Sequence, residues 1–146
     1  MKCIRNVLRT LQVRLSLWDT AGSTDYDSLR PLAYPQASAV LVCFALDDRE
    51  SLINVERKWV PEVRQRLPRV PVVLVGNKRD LREHQAPSYH LNQNRGPPVT
   101  TSQGKAIAER IKASAYVECS AIMQQGLDKV FEAAVTAVIA TTQSVR

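Results

Sequence analysis

Nothing in this sequence approaches eighteen consecutive apolar residues, and the opening MKCIRNVLRT has no extended apolar segment. A membrane-crossing helix needs about 20 such residues, so neither a span nor a secretory signal is expected. Cysteine is scarce: three in 146 residues, at Cys3, Cys43 and Cys119. An odd, widely spaced set does not form a disulfide framework, and Cys43 and Cys119 sit in apolar runs, where a free thiol behaves as a small hydrophobe. A reduced, cytoplasmic setting is the resulting expectation. The final TTQSVR carries no Cys-a-a-X box, so no prenyl anchor is expected. Internal repeats, low-complexity linkers and blocks of like charge are also lacking. Lys and Arg outnumber Asp and Glu by 20 to 14, for a net charge of +6, but the basic residues are spread along the chain. That spread reads as a solvated basic surface and argues against nucleic-acid binding, while an acidic lipid or acidic partner stays open.

What is present is the pattern of one globular domain, residues 1–146, with 45% hydrophobic and 23% charged residues. VRLSLWDTAG, SAVLVCFALDD and VPVVLVGNKRD have strand length and β-branched content, and the shorter AYVECSA repeats the design. The first alternates like a half-buried strand; the next two are nearly continuous, as strands covered on both faces are. Helical patterns lie between them. SLINVERKW puts Leu52, Val55 and Trp59 on one face, with Asp47, Asp48 or Ser51 as candidate caps and Pro61 predicting a bend or an end. SQGKAIAERIKAS spaces Ile107 and Ile111 four apart, and GLDKVFEAAVTAVIA aligns Leu127, Val130, Phe131, Ala134 and Val138. This alternation predicts an α/β domain with a parallel sheet and ligands at the strand carboxyl ends. Residues 84–98, HQAPSYHLNQNRGPP, break the alternation and read as a surface excursion.

The polar signals all fall at strand carboxyl ends. Behind the strand ending at Gly76, the Asp80 carboxylate can accept two parallel hydrogen bonds from the ring N–H and exocyclic amine of guanine; adenine lacks both donors on that edge. Asn77 can brace the loop, and the Lys78 stem can lie over a ring face. A solvated turn uses the same residues. In ECSA, Ser120 can hold the Asp80 carboxylate in plane and the Ala121 N–H can meet a base carbonyl; a small-residue turn after a buried strand reads equally well. In DTAG, Asp19 can hold a magnesium-bound water, and Gly22 lets a backbone N–H approach a phosphate with no Cβ in the way.

In this order, WDTAG, NKRD and ECSA resemble the Ras superfamily of small GTPases. DYDSLRPLAYP, KWVPEV, LVGNKRDLRE and YVECSAIMQQGLDKVFEAAV are similar to the Rho/Rac branch, and residues 84–98 fall where that branch carries an extra insert. The resemblance covers the chain from about residue 6 to about residue 140. It implies a G-domain, mainly parallel with helices on both faces, that uses GTP or GDP and Mg2+. The cofactor-binding positions it implies are Asp19, Ala21, Gly22, Asn77, Lys78, Asp80, Ser120, Ala121 and Ile122, with Asp19 reaching magnesium through water. Effectors, exchange factors and activating proteins are expected to meet residues 23–35 and Trp59 of a monomer.

The departures are as informative. The family's first strand, its G-x-x-x-x-G-K-[ST] loop, its first helix and its first switch threonine are missing, so the fold expected is an incomplete G-domain. Met1 and the residues up to Leu8 stand either where the effector-facing strand belongs or, in a second registration, where the first strand begins. Ser23 occupies the position of the water-orienting glutamine, so no catalytic residue is assigned. Ile122 replaces a leucine of the Rac-like proteins. Three readings are open: a truncated Rho-type GTPase that keeps base recognition, a nucleotide-free interaction module, and a splice or gene-model fragment without a stable fold. In the family the first strand lies between the strand ending at Trp18 and that of residues 39–46. Its loss predicts a split sheet or a displaced N-terminal strand in the slot.

Overall fold

The run of four large aliphatic residues that opens β4 (Val72–Asn77) is buried throughout, because this strand is central in a parallel ladder of three. In the computed structural model, which describes residues 5–8, 11–84 and 96–143, β3 (Val40–Ala45) pairs on one side with Val42 opposite Leu74. On the other side β5 (Ala115–Glu118) pairs with Val117 opposite Val75. Strand side chains alternate between faces, so β4 serves two cores. Val72 and Leu74 join Val42, Phe44 and Leu46 under the helices α1 (Arg49–Asn54), α2 (Val60–Arg66) and α4 (Thr101–Arg110). Val73 and Val75 face α5 (Leu127–Gln143) through Val130 and Ala137. Each buried Val or Leu contributes about 1.5–3 kcal/mol of burial free energy, which makes this two-sided strand the anchor of the fold.

The helix starts are set by side chains. Asp48 caps α1, accepting from the amides of Glu50 at 3.0 Å and Ser51 at 3.3 Å. Thr100 and Gln103 form a reciprocal capping box at α4. Ile107 and Ile111 are buried, as their spacing predicts. In α5 the buried residues are Val130, Ala134, Val135 and Ala137, so the core face is rotated from the stripe expected: Leu127, Phe131 and Val138 are only half-buried.

Several expectations are corrected. Pro61 does not end the helix: α1 runs through a π turn at Val55–Trp59 into α2, with Pro61 in the first turn of α2. A first-turn position tolerates a residue without an N–H, and the wider π turn takes up the mismatch. The strand expected to reach Trp18 is β2 (Leu11–Arg14) and stops four residues early. Its pairing with β1 (Arg5–Leu8) ends at Arg5 opposite Arg14, and residues 15–22 continue without regular structure. Cys43 is exposed, whereas Cys119 is buried as expected.

β1 and β2 form an antiparallel hairpin, the arrangement of the first of the two registrations. Among the described residues it makes a ladder separate from β3-β4-β5, so the sheet is split. Two short 3-10 segments, Thr24–Tyr26 and Arg30–Gln36, lead into β3, and α3 (Arg79–His84) comes after β4. Cys3 and residues 85–95 of the 84–98 excursion lie outside the described residues. No helix among the described residues is long and apolar enough to cross a membrane.

Candidate functional site

The parallel register of β4 and β5 delivers two loops side by side. Asn77 ends β4, and Ser120 lies two residues beyond β5. Ser120 is wholly buried and donates through Oγ to Asp80 Oδ1 at 2.5 Å, the bond its position in ECSA predicts. The same oxygen accepts from the Met123 amide at 3.2 Å, so one hydroxyl ties α3 to the loop after β5. The Arg79 amide donates to the Cys119 carbonyl at 3.1 Å, closing the junction through the backbone. Burial pushes the Cys119 thiol up, which keeps its proton, and Sγ donates to Asn77 Oδ1 at 3.2 Å. Lys78 adopts φ 61°, a left-handed conformation that turns the chain sharply after the strand, and its Nζ stands 3.6 Å from Asp47 Oδ1. Ala121, Ile122 and Met123 are exposed in the loop that Ser120 ties to Asp80, with Ile122 81% accessible. The result is a carboxylate fixed by a buried hydroxyl, next to a loop with an exposed aliphatic side chain, at the carboxyl end of a parallel sheet.

Asp19, Ala21 and Gly22 form a second group, on the irregular stretch after β2, and all three are exposed. Ser23 does not extend into open space: its Oγ accepts from the Asp25 amide at 3.3 Å and caps the first 3-10 turn. Among the described residues no group of three or more His, Cys, Asp or Glu is placed to hold a metal ion.

Two polar clusters escaped the sequence reading. Arg30, nearly buried, links the 20–36 stretch to Glu62 of α2 at 2.8 Å and to Asp27 at 2.6 Å. Burial works against its charge, but the two carboxylates outweigh it and raise the guanidinium further. Tyr34 donates to the same Glu62 at 2.5 Å, and burial, reinforced by that bond, pushes its phenol up to about 12. The second cluster joins Arg82 to Glu118 through two bonds, at 2.9 and 2.5 Å, and to the Val99 carbonyl at 3.1 Å. Tyr116 adds a bond to Glu118 at 2.7 Å. These partners lie 32 and 36 positions apart in the pairs Arg30–Glu62 and Arg82–Glu118, too far for a local pattern to reveal. The local hint was that Arg30 is the single basic residue in the 23–35 stretch.

In this parallel α/β domain polar residues gather beyond the strand carboxyl ends, the position at which open sheets of this kind bind ligands. A Ras family profile matches residues 4–140, and the chain belongs to that family, as a Rho-type small GTPase. Among its relatives is the Rho-related GTP-binding protein RhoB of Homo sapiens, 48% identical over 128 residues. RhoB of Mus musculus and of Rattus norvegicus match equally. Each alignment covers 88% of this chain and 65% of the relative, so the chain spans just under two thirds of the length of the proteins it matches.

Proposed function

We propose that this chain is a Rho-type guanine-nucleotide-binding domain whose base pocket is built and whose phosphate and magnesium contacts are few. The Ser120–Asp80 bond at 2.5 Å carries the reading. A carboxylate held in plane on one oxygen keeps lone pairs for the two donors of guanine, whereas adenine would leave it desolvated without partners. Asn77 braces the loop, Ala121 supplies an N–H, and Lys78 and Ile122 offer apolar surface to the ring. For the phosphates the assigned groups are Asp19 and the backbone at Ala21 and Gly22. A G-x-x-x-x-G-K-[ST] sequence does not occur in the chain, so the lysine and successive amides that cradle phosphates in such loops are not supplied by it. Mg2+, where bound, would neutralise phosphate charge, with Asp19 its one assigned protein contact, through water. Without a glutamine at position 23, hydrolysis of GTP is expected to be slow.

Such a domain would act in the cytoplasm as a switch in signalling to the cytoskeleton, meeting effectors, exchange factors and activating proteins as a monomer. Calorimetry with GDP and with ADP tests the reading. Binding of GDP at micromolar or weaker strength, above about −8 kcal/mol, with no measurable ADP binding is expected. Equal binding of the two would remove it, and nanomolar GDP binding would remove the claim of few phosphate contacts.

The alternative, a nucleotide-free interaction module, rests on a different observation. Leu17, Trp18, Tyr26, Leu29 and Leu32 are exposed within one short stretch, Trp18 at 68% and Leu32 at 75%. Large apolar side chains concentrated in this way mark docking surfaces.

A further inference from the structure

Arg30 holds both carbonyls that flank Gly22. Its Nε donates to the Ala21 oxygen at 3.0 Å and its Nη2 to the Ser23 oxygen at 3.2 Å. A trans peptide is planar, and its N–H points opposite its carbonyl. Fixing the Ala21 carbonyl on a side chain that is only 4% exposed therefore aims the Gly22 N–H away from the guanidinium. Trp59 forms the wall behind the loop: a Cβ built on Gly22 would stand 3.8 Å from its Cζ2 and 3.9 Å from its Cη2. The Arg30 guanidinium carbon lies 4.8 Å from the Trp59 ring centre and Lys58 Nζ lies 4.6 Å from it, so two cations share one indole. Lys58 also pairs with Asp27 at 3.3 Å, and Arg30 with Glu62.

The helix is shaped for this contact. Trp59 closes the π turn Val55–Trp59, which inserts one residue and so rotates the α2 turns by about 100° relative to an uninterrupted α-helix. Trp59 and Glu62, on either side of the junction, both meet the 20–36 stretch. π turns within α-helices recur at functional sites.

We propose that Arg30 and Trp59 are positioning residues for the Gly22 amide, coupling the glycine loop mechanically to the α1–α2 helix. A protein that draws Glu62 or Lys58 away would free the Ala21 carbonyl and disorder the amide, and an anion held at Gly22 would in turn order the helix face. The functional half rests on the proposed phosphate-facing role of Gly22; the mechanical half does not.

The test uses the full chain with Trp18→Phe, which leaves Trp59 as the sole indole. Arg30→Lys keeps the charge and loses the fork; Glu62→Gln weakens the anchor and serves as the second variant should the first not fold. Nitrogen-15 relaxation is read at Gly22 and Ser23. The order parameter is expected to fall from about 0.85 to below about 0.6 in Arg30→Lys, and part of the way in Glu62→Gln, while α4 and α5 stay rigid. The Trp59 indole resonance is expected to shift in both. An unchanged Gly22 order parameter overturns the proposal, as does a loss of order spread equally over α4 and α5. Calorimetry with pyrophosphate and GDP separates the two halves. Binding weakened about fivefold in Arg30→Lys supports the functional half. No binding by the parent removes the phosphate role, and the relaxation result still decides the coupling.

Discussion

Replacing Ser120 by alanine removes one oxygen that serves two neighbours. The wholly buried Oγ donates to Asp80 at 2.5 Å and accepts from the Met123 amide at 3.2 Å. A hydrogen bond to a charged group contributes about 1.5–3 kcal/mol, and an amide left without an acceptor adds to the loss. Asp80 is only partly buried and Met123 is exposed, so water takes over part of both roles and the low end, about 1.5 kcal/mol, is expected. The loop keeps its shape through the paired backbone bonds between Ser120 and Gln125, at 2.9 and 3.0 Å, so the cost is local. Urea unfolding monitored by circular dichroism measures it as a lower midpoint at constant slope. GDP affinity should fall about tenfold in parallel, because the carboxylate is no longer held in plane. A midpoint and a GDP affinity both unchanged would refute the argument that Ser120 organises the pocket.

Gly104→Ala should destabilise by about 1–3 kcal/mol, because the new Cβ would overlap the hydroxyl and Cζ of Tyr116, a ring stacked on Phe44 and bonded to Glu118; an unaltered melting temperature would show that the ring moves aside freely. Burial pushes the Glu118 carboxyl up, but bonds from Arg82 and Tyr116 outweigh it and hold the group below its ordinary 4.5. A lowered folded value means stability that is complete above about pH 4.5 and lost as pH falls through the folded value. Arg82→Ala removes the chief partner that lowers this carboxyl, so the variant's loss of stability should be largest near neutral pH and should shrink as pH falls below about 4.5, where Glu118 is protonated in the unfolded chain; a deficit that stays the same across this pH range would contradict this. Ser23→Gln removes the cap on the Asp25 amide at a cost of at most about 1 kcal/mol and should raise single-turnover GTP hydrolysis in the presence of an activating protein. Equal rates would show that position 23 does not face the attacking water.

The parts of this molecule that sequence revealed are those decided locally. Period and β-branching marked β3, β4 and β5, and short-range chemistry narrowed the cap of α1 to Asp47, Asp48 or Ser51. The base-pocket residues could be grouped before their geometry was known, because parallel strands carry their ends to one side. What escaped notice depends on packing between distant segments. Pro61 looked like a bend or an end of the helix because the π turn that accommodates it has no sequence signature. Cys43 looked buried because VLVCFA reads as a covered strand, and nothing local tells which of its side chains a distant segment will cover. The Arg30 and Arg82 clusters join residues more than thirty positions apart, and the rotation of the α5 core face was set by the groove it fills.

Guanine selectivity at Asp80 is the point on which the functional reading turns. Competition between GDP and xanthosine diphosphate should be measured calorimetrically for the parent chain and for Asp80→Asn. The parent is expected to favour GDP, and the variant to shift toward the xanthine nucleotide by at least about tenfold, because an amide can donate where the carboxylate only accepts. An unchanged preference for guanine over xanthine in Asp80→Asn would contradict the pocket assigned to Asp80, Ser120 and Asn77.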